Sequence, residues 1–565
     1  MMAPRVGLAT LVSGRVPAIR LVTTTTLSRA IVGVSVAWFV WSAARYLALP
    51  GLSYDEVLFV NAAIGSPTDS FIAWRVLGVP VMLMSYIGAL KAYLYLPIFG
   101  LFGVSPTTIR LPAIGLSVIS ILLVWAIART TFGRLTSALL VAVVALDPAF
   151  IFMTKLDFGP VVLMLLLKLL STWAFLKLVL TQRVAYAWLL VGASGLGLFD
   201  KLNFIWFISS LAIAALLFRG ELLAIWARYG WQFLAPLGML LGAVGVSMVE
   251  LGLPQLRATS SWGVDLPARL VFAAQLYAST FNGDEVYKWV FPASPNAWPV
   301  AAIVTLLCLA AILASEAVAA WRTRRAPRNQ DFADRAGWLY VIVFGLTFVQ
   351  IVVTNKADGP HHMMLLFPFQ DLLAFVAIGR STRDCRAVGW RYTQRARRLS
   401  RRVALTGVVA VLCTTEAGAD LQYARAFEAD RFEPAWSPAI YDLAAYVDRQ
   451  DVDVVASVDW GLNNQLLALA RPEARARYVD FWGEVERPGG LSKLEALYMQ
   501  TVQGGRALLV AHPAAVEIRP GTHRLLLDFL HSIAANTTPQ AVLADAEGQP
   551  LYEVYVLDDG AASER

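Results

Sequence analysis

The sequence predicts a polytopic α-helical membrane protein with a small α/β domain at its carboxyl end. Three observations carry that expectation. Hydrophobic residues make up 58% of the 565-residue chain and charged residues only 15%, against roughly 45–50% and about 25% in soluble domains. The apolar residues gather into about eleven runs of the roughly 20 residues needed to cross a hydrocarbon core. From about Ala419 onward the apolar density falls, and short strand-like and helical stretches take over. With 28 Phe and 18 Trp, and with Gly and Pro in ordinary proportion, disordered and collagen-like chains are excluded.

The first run extends from about Ile31 to Leu49, behind Arg5, Arg15, Arg20 and Arg29. It is long for a signal peptide and further runs follow, so it reads as an anchor. The others centre near residues 120, 142, 170, 192, 210, 240, 308, 346, 371 and 411. Orientation follows from the arginines, because cationic loops stay on the cytoplasmic side. Arg322, Arg324, Arg325, Arg328 and Arg335 lie between the eighth and ninth runs, and nine arginines occupy 380–402. Those loops are expected in the cytoplasm with the amino-terminal segment 1–29. The outer loops 50–110 and 251–298 of the membrane domain, 30–419, then face outward together with an α/β domain over 420–565. The net charge of +7 is a topology signal and not a nucleic-acid footprint. Only eight of the 47 basic residues are Lys, a skew that fits a GC-rich bacterial genome and hence a bacterial plasma (inner) membrane. Cys308 and Cys413 lie in apolar runs and Cys385 in an Arg-rich loop, which argues against a disulfide framework.

In the terminal region Val452–Val458, Ala507–Ala511 and Leu551–Leu557 read as buried strands, with helices such as Asn464–Ala470 and Leu491–Gln503 between them. No internal repeat is found, so nothing argues for an inverted-repeat transporter.

The charged residues closest to membrane depth collect on the outer side. Tyr54-Asp55-Glu56 follows the first span. Trp74–Gly103, broken by Gly and Pro, reads as an amphipathic stretch along the interface. Asp147, Lys155 and Asp157 occupy the next outer turn, Asp200-Lys201-Leu202-Asn203 another, and Lys356 to His362 a third. Acids and cations at one membrane face are costly to desolvate, so a shared wet pocket explains them better than separate placements. The plain alternative for each is an interfacial loop residue. Lys168 lies within the fourth span, as a functional group or a snorkelling one. Arg110 reads as a structural anchor.

The ordered series YDEVLFVNAAIG, GALKAYLYLPIFGLFGVSPTTIRLPAIGL, the turn Phe132-Gly133 and the Lys after the fifth span resembles the GT-C glycosyltransferases, in particular the branch of protein O-mannosyltransferases and lipid A aminoarabinose transferases. The resemblance covers about residues 30–380. It implies a multispan enzyme that takes a sugar from a polyprenyl-phosphate donor and places it on an acceptor at the outer face, amid membrane lipid. By the resemblance Asp55 is the catalytic acid of the pair and Glu56 its companion, while Lys201 aligns with the family's lysine. The family often has Lys-Pro-Pro in the interfacial segment; here Lys91-Ala92-Tyr93 delays its proline to Pro97, which puts the role of Lys91 in question.

The chemistry can also be argued from the residues. A polyprenyl phosphate leaves as a stable anion without a proton donor, so one base suffices, whereas glycoside hydrolysis divides the work between two carboxylates. Asp55 as general base on an acceptor hydroxyl meets that need, and inversion at the anomeric carbon follows. The departing phosphate wants fixed cations or donors: Lys201 first, then His361 and His362, then Lys356 and Lys91. Lys201 paired with Asp200 and the histidines as interface anchors are the competing readings. Asp157 is a candidate for orienting the catalytic loop, and Asp284 and Glu285 for acceptor contact. No metal site is assigned, since adjacent histidines seldom face one ion; no cofactor is named and a divalent metal ion stays open. The acceptor is a protein, lipid or glycan. Rival classes are a transporter or flippase for a lipid-linked saccharide, whose polar groups should line a two-sided path near the midplane, and a non-catalytic membrane sensor.

Overall fold

The computed structural model describes residues 16–65, 72–252, 265–292, 299–322, 331–354, 357–384, 394–482, 490–501 and 505–558. The first part of the chain is helical, with α1 (Val16–Ala44), α2 (Tyr54–Ile64), α3 (Leu90–Phe102), α4 (Pro106–Thr131), α5 (Arg134–Leu146), α6 (Pro148–Lys155), α7 (Val161–Thr181), α8 (Ala185–Asp200), α9 (Phe204–Ala215), α10 (Arg219–Tyr229) and α11 (Trp231–Ser247). It continues through α12 (Leu266–Phe281), α13 (Asp284–Val290), α14 (Val300–Arg322), α15 (Phe332–Val353), α16 (Pro360–Met363), α17 (Phe369–Asp384) and α18 (Gln394–Glu428).

Seven helical stretches among the described residues are long and apolar enough to cross a membrane, and α5 with α6, bent by 55° at their junction, makes an eighth if the two form one broken span. These stretches correspond to eight of the eleven expected spans. Helices also lie at the remaining three expected centres, in α8, α14 and α17. Charge ends α8 at Asp200, and the break after α5 comes where Asp147 caps a new helix, its carboxylate accepting from Phe150 N at 2.8 Å, with Pro148 as first residue.

The helices pack α1 on α5, α4 on α7, α7 on α8, α9 on α15 and α14 on α17. Phe39, Phe150 and Phe367 stack through the core at 5.0 and 4.8 Å. Lys168, on α7, neither snorkels nor meets an acid: its ammonium donates to the carbonyls of Met364 and Leu365 at 3.1 and 2.9 Å and to that of Phe367, so it stitches α7 to the turn between α16 and α17.

The segment expected as an amphipathic stretch over Trp74–Gly103 divides into two kinds of structure. Its first half is an antiparallel meander of β1 (Trp74–Val76), β2 (Val79–Met84) and β3 (Ile87–Gly88), and only α3 is helical. Val79-Pro80-Val81-Met82-Leu83-Met84 is rich in β-branched residues, and Met82 and Leu83 are buried.

Beyond α18 lie α19 (Ala439–Asp448), β4 (Val454–Ser457), α20 (Leu462–Leu469), β5 (Tyr478–Asp480), α21 (Gly490–Thr501), β6 (Arg506–Ala511), α22 (Thr522–Ser532), β7 (Ala541–Ala544) and β8 (Pro550–Asp558). The sheet order is β5-β4-β6-β8-β7, with β4 parallel to β5 and β6 and the β6–β8 and β7–β8 pairs antiparallel. Side chains alternate along β6: Leu508 and Val510 pack with Ile440, Leu443 and Leu466, whereas Ala507 and Leu509 pack with Leu494, Leu526 and Phe529. Both faces are thus covered by helices, as parallel strands require.

Candidate active site

Asp55 sits in the first turn of α2, a helix begun by the N-cap Ser53. The same turn sends the two acids of the pair in different directions. Glu56 is fully buried and accepts from Arg110 Nε at 2.7 Å and Nη2 at 2.9 Å, while its Oε2 also takes the N–H of Ser53 at 3.3 Å. Arg110 completes the anchor by donating to Leu47 O at 2.6 Å. Glu56 is therefore part of the frame that fixes α2 and lies outside the cavity. Asp55 faces the cavity, and among the described residues its carboxylate has neither hydrogen bond nor ion pair.

That cavity, about 590 Å³, is walled by Asp55, by Met84, Tyr86 and Ile87 of the meander, by Phe158–Val161, by Lys201–Asn203 and the start of α9, and by Gln350, Thr354, His361 and His362. Its size suits a small polar ligand or headgroup. Lys201 reaches it because the meander holds the turn between α8 and α9: Ile87 bridges to Lys201, and Leu202 N donates to Tyr86 O at 2.9 Å. Only glycine fits at position 88, since a Cβ there would lie 2.0 Å from the Phe199 carbonyl oxygen. Lys201 is 3% exposed and makes no ion pair among the described residues. Neither carboxylate oxygen of the buried Asp200 has a partner, so the expected competing pair Lys201–Asp200 does not form.

Lys91 and Asp157 behave in the opposite way. They pair with each other at 2.8 Å, both almost wholly buried, and Lys91 also donates to the carbonyls of Asp157 and Gly159 at 3.0 and 2.6 Å. The Tyr95 hydroxyl donates to the other oxygen of Asp157. Together they pin the backbone of the Phe158–Pro160 wall and stay out of the cavity themselves. Asp284 pairs with Lys288 at 2.7 Å on α13, and Glu285 accepts from Ser279 at 3.1 Å; neither lines the cavity. Lys356 lies outside the described residues.

The remaining polar wall is made of neutral donors and acceptors. His361 and His362 stand with ring centroids 4.1 Å apart. Asn203 Nδ2 lies 3.3 Å from His362 Nδ1, while Asn203 Oδ1 and His361 Nδ1 are buried without partners. Burial, then the second imidazole and Lys201, hold His361 well below the usual imidazole range, and burial followed by Lys201 does the same to His362. Both rings are neutral at pH 7. Burial lowers Lys201 to about 8, against the pull of Asp55 and Asp200, which leaves it mostly cationic at pH 7. Burial raises Asp55 above its ordinary value, and Lys201 and Lys91 offset part of that rise. No group of three or more His, Cys, Asp or Glu among the described residues could hold a metal ion.

Cavity residues that the sequence had not marked are Tyr86, Phe158, Trp206, Ser209, Gln350 and Thr354. Gln350 carried a readable signal, as a lone amide within the apolar run FGLTFVQIVV. Its Nε2 donates to Trp206 O and Ser210 Oγ, each at 3.0 Å, and its Oε1 accepts from Ser209 at 2.9 Å.

The arrangement has counterparts among solved structures. ArnT from Cupriavidus metallidurans in the apo state superposes with a TM-score of 0.52 at 14% identity, over 95% of this chain and 98% of that one. The two chains share a fold. Residues 89–248 match the sequence model of the family described as dolichyl-phosphate-mannose-protein mannosyltransferase. ArnT from the same organism bound to undecaprenyl phosphate gives a TM-score of 0.49 at 14% identity, over 95% and 98% of the two chains. The oligosaccharyltransferase AglB from Archaeoglobus fulgidus, in complex with an inhibitory peptide and a dolichol-phosphate, gives 0.48 at 11% identity, over 86% and 69%. No curated protein matches the sequence.

Proposed function

We propose that this chain is a membrane glycosyltransferase that moves a sugar from a polyprenyl-phosphate donor to an acceptor hydroxyl at the outer face of a bacterial plasma membrane. The observation that carries the reading is the pairing pattern. Arg110–Glu56 and Lys91–Asp157 neutralise each other, whereas Asp55 and Lys201 share a cavity and neither is in an ion pair among the described residues. A base and a phosphate cation are thereby left for a ligand.

In the reaction the acceptor oxygen attacks the anomeric carbon as its proton passes to Asp55. The bond from that carbon to the phosphate oxygen breaks, and its electron pair leaves with the carrier phosphate. Lys201, with His361 beside it in the cavity, would stabilise that charge. Attack opposite the departing phosphate inverts the anomeric centre. The matched family description supports a prenyl-linked phosphate donor, and the arginine-rich loops support an inward amino terminus with the α/β domain outside. The acceptor is a protein, lipid or glycan.

The test is Asp55→Asn in membranes supplied with labelled polyprenyl-phosphate mannose or aminoarabinose. Loss of a general base lowers transfer by about 10²–10⁴-fold with expression intact. Unchanged transfer removes Asp55 from the base role.

A further inference from the structure

We infer that the carboxyl-terminal α/β domain is a positioning element for the base, holding Asp55 in register through a ring contact between Trp460 and the neighbouring Tyr54. This rests on the reading of Asp55 as the base and adds a task for a domain that reading leaves unused.

A helix of eleven residues is too short to hold itself rigid in water, so whatever clamps α2 sets the position of Asp55. One side of α2 is fixed by the membrane body through the Glu56–Arg110 pair and through Val57 and Val60, which pack with Tyr95 and Phe99. The other side is fixed by the α/β domain. Asn61 Nδ2 donates to Asn464 O at 2.9 Å, and Gln465 Nε2 donates to Leu52 O at 2.6 Å. Gly51 N donates to Trp436 O at 2.8 Å, and the chains approach so closely there that a Cβ on Gly51 would stand 2.2 Å from Ser437 O.

The contact nearest the base is Tyr54 against Trp460, with ring centroids 4.4 Å apart. Trp460 is carried by the turn that leaves β4 for α20, and that turn is itself locked. The buried carboxylate of Asp459 takes the N–H of Trp460 at 2.7 Å, the N–H of Ile518 at 2.9 Å and a contact from His512 Nδ1 at 2.8 Å. Asp459 and His512 stand at the carboxyl ends of the parallel strands β4 and β6. The sheet thus ends in a rigid ring aimed at the residue next to Asp55, and a misplacement of about 1 Å at a reacting group can cost 10²-fold in rate.

The experiment compares the full-length wild type with Trp460→Ala and Trp460→Phe in detergent. Hydrogen exchange of the peptide spanning 53–65 is followed by mass spectrometry, and steady-state transfer is measured from polyprenyl-phosphate mannose. In Trp460→Ala, α2 should exchange at least about tenfold faster and kcat should fall about tenfold or more with donor KM within about twofold. Trp460→Phe, which keeps a ring, should restore both. Wild-type exchange in Trp460→Ala overturns the brace whether or not mannose is the sugar used. A fall in kcat that Trp460→Phe does not rescue, or one matched by an equal rise in KM and a lower unfolding temperature, overturns the positioning role in favour of plain stability. If α2 loosens in Trp460→Ala while Asp55→Asn transfers normally, the base assignment fails and the mechanical coupling of the domain to α2 stands.

Discussion

The contrast between Lys201 and Lys91 makes a quantitative test of which charges work and which hold the frame. Both are almost fully buried lysines on the same side of the protein, 3% and 2% exposed. Lys91→Met strips Asp157 of its ion-pair partner and leaves a carboxylate buried with only Tyr95, a loss of about 3–5 kcal/mol for a broken buried pair. Lys201→Met breaks no ion pair and removes a desolvated charge, so its effect on stability should stay within about 1 kcal/mol. On the donor the order reverses. A charge-assisted contact to phosphate is worth about 1.5–3 kcal/mol, which at 1.4 kcal/mol per decade is roughly ten- to 150-fold in kcat/KM for the donor. Thermal unfolding in detergent reads the first quantity and transfer kinetics at varied donor concentration the second. If Lys201→Met unfolds as early as Lys91→Met, or if its donor kinetics match the wild type, the division between frame and site is wrong.

Three further outcomes follow from the same geometry. Arg110→Met leaves Glu56 buried without its cation and should cost about 3–5 kcal/mol of stability, read as a fall in folded yield and unfolding temperature. Gly88→Ala places a methyl group 2.0 Å from Phe199 O and should push the meander off the turn that presents Lys201; donor KM in the folded fraction reports the displacement. Burial, opposed by Lys91 and Tyr95, raises Asp157 to about 6, above its unfolded value of roughly 3.9. Its contribution to stability is therefore complete below about pH 4 and lost as pH rises through about 6, so Asp157→Asn should flatten the unfolding-temperature profile across that window.

Much of this was written in the chain, and the omissions have identifiable causes. The apolar runs marked every membrane-body helix expected, because a run of Leu, Val and Ala announces itself without knowledge of partners. The strands of the meander over 74–88 were not legible within the stretch read as amphipathic, since an exposed β1 and a proline in β2 leave no clean alternation. Strands β4, β6 and β8 are apolar and were found; β5 has three residues, and the burial of β7 alternates at the sheet edge. At the site, Asp55, Lys201, His361 and His362 were legible as charged or polar residues in outer turns. That Glu56, Lys91 and Asp157 serve the frame was not, because which acid meets which cation depends on contacts such as Glu56 with Arg110, 54 positions apart.

The cavity's charges also bound its pH dependence. In the proposed reaction the site before transfer would hold Asp55 as carboxylate, Lys201 as ammonium, two neutral imidazoles and a donor phosphodiester of charge −1. Afterwards Asp55 carries the acceptor's proton and the carrier phosphate has one more negative charge, so the net charge of the site is unchanged and no counterion need enter. That balance requires Asp55 ionised and Lys201 protonated at the outset. Asp55 is raised by burial, so the acid limb of kcat/KM lies above the ordinary carboxylate range. Lys201 sits at about 8, so activity falls as pH rises through that value, giving a bell whose upper limb belongs to one residue. Lys201→Arg keeps the charge and cannot lose its proton in this range. It should retain measurable transfer and abolish the alkaline limb up to at least about pH 9.5. An alkaline limb that persists unchanged in Lys201→Arg assigns it to another group and removes Lys201 as the cation that the donor phosphate meets.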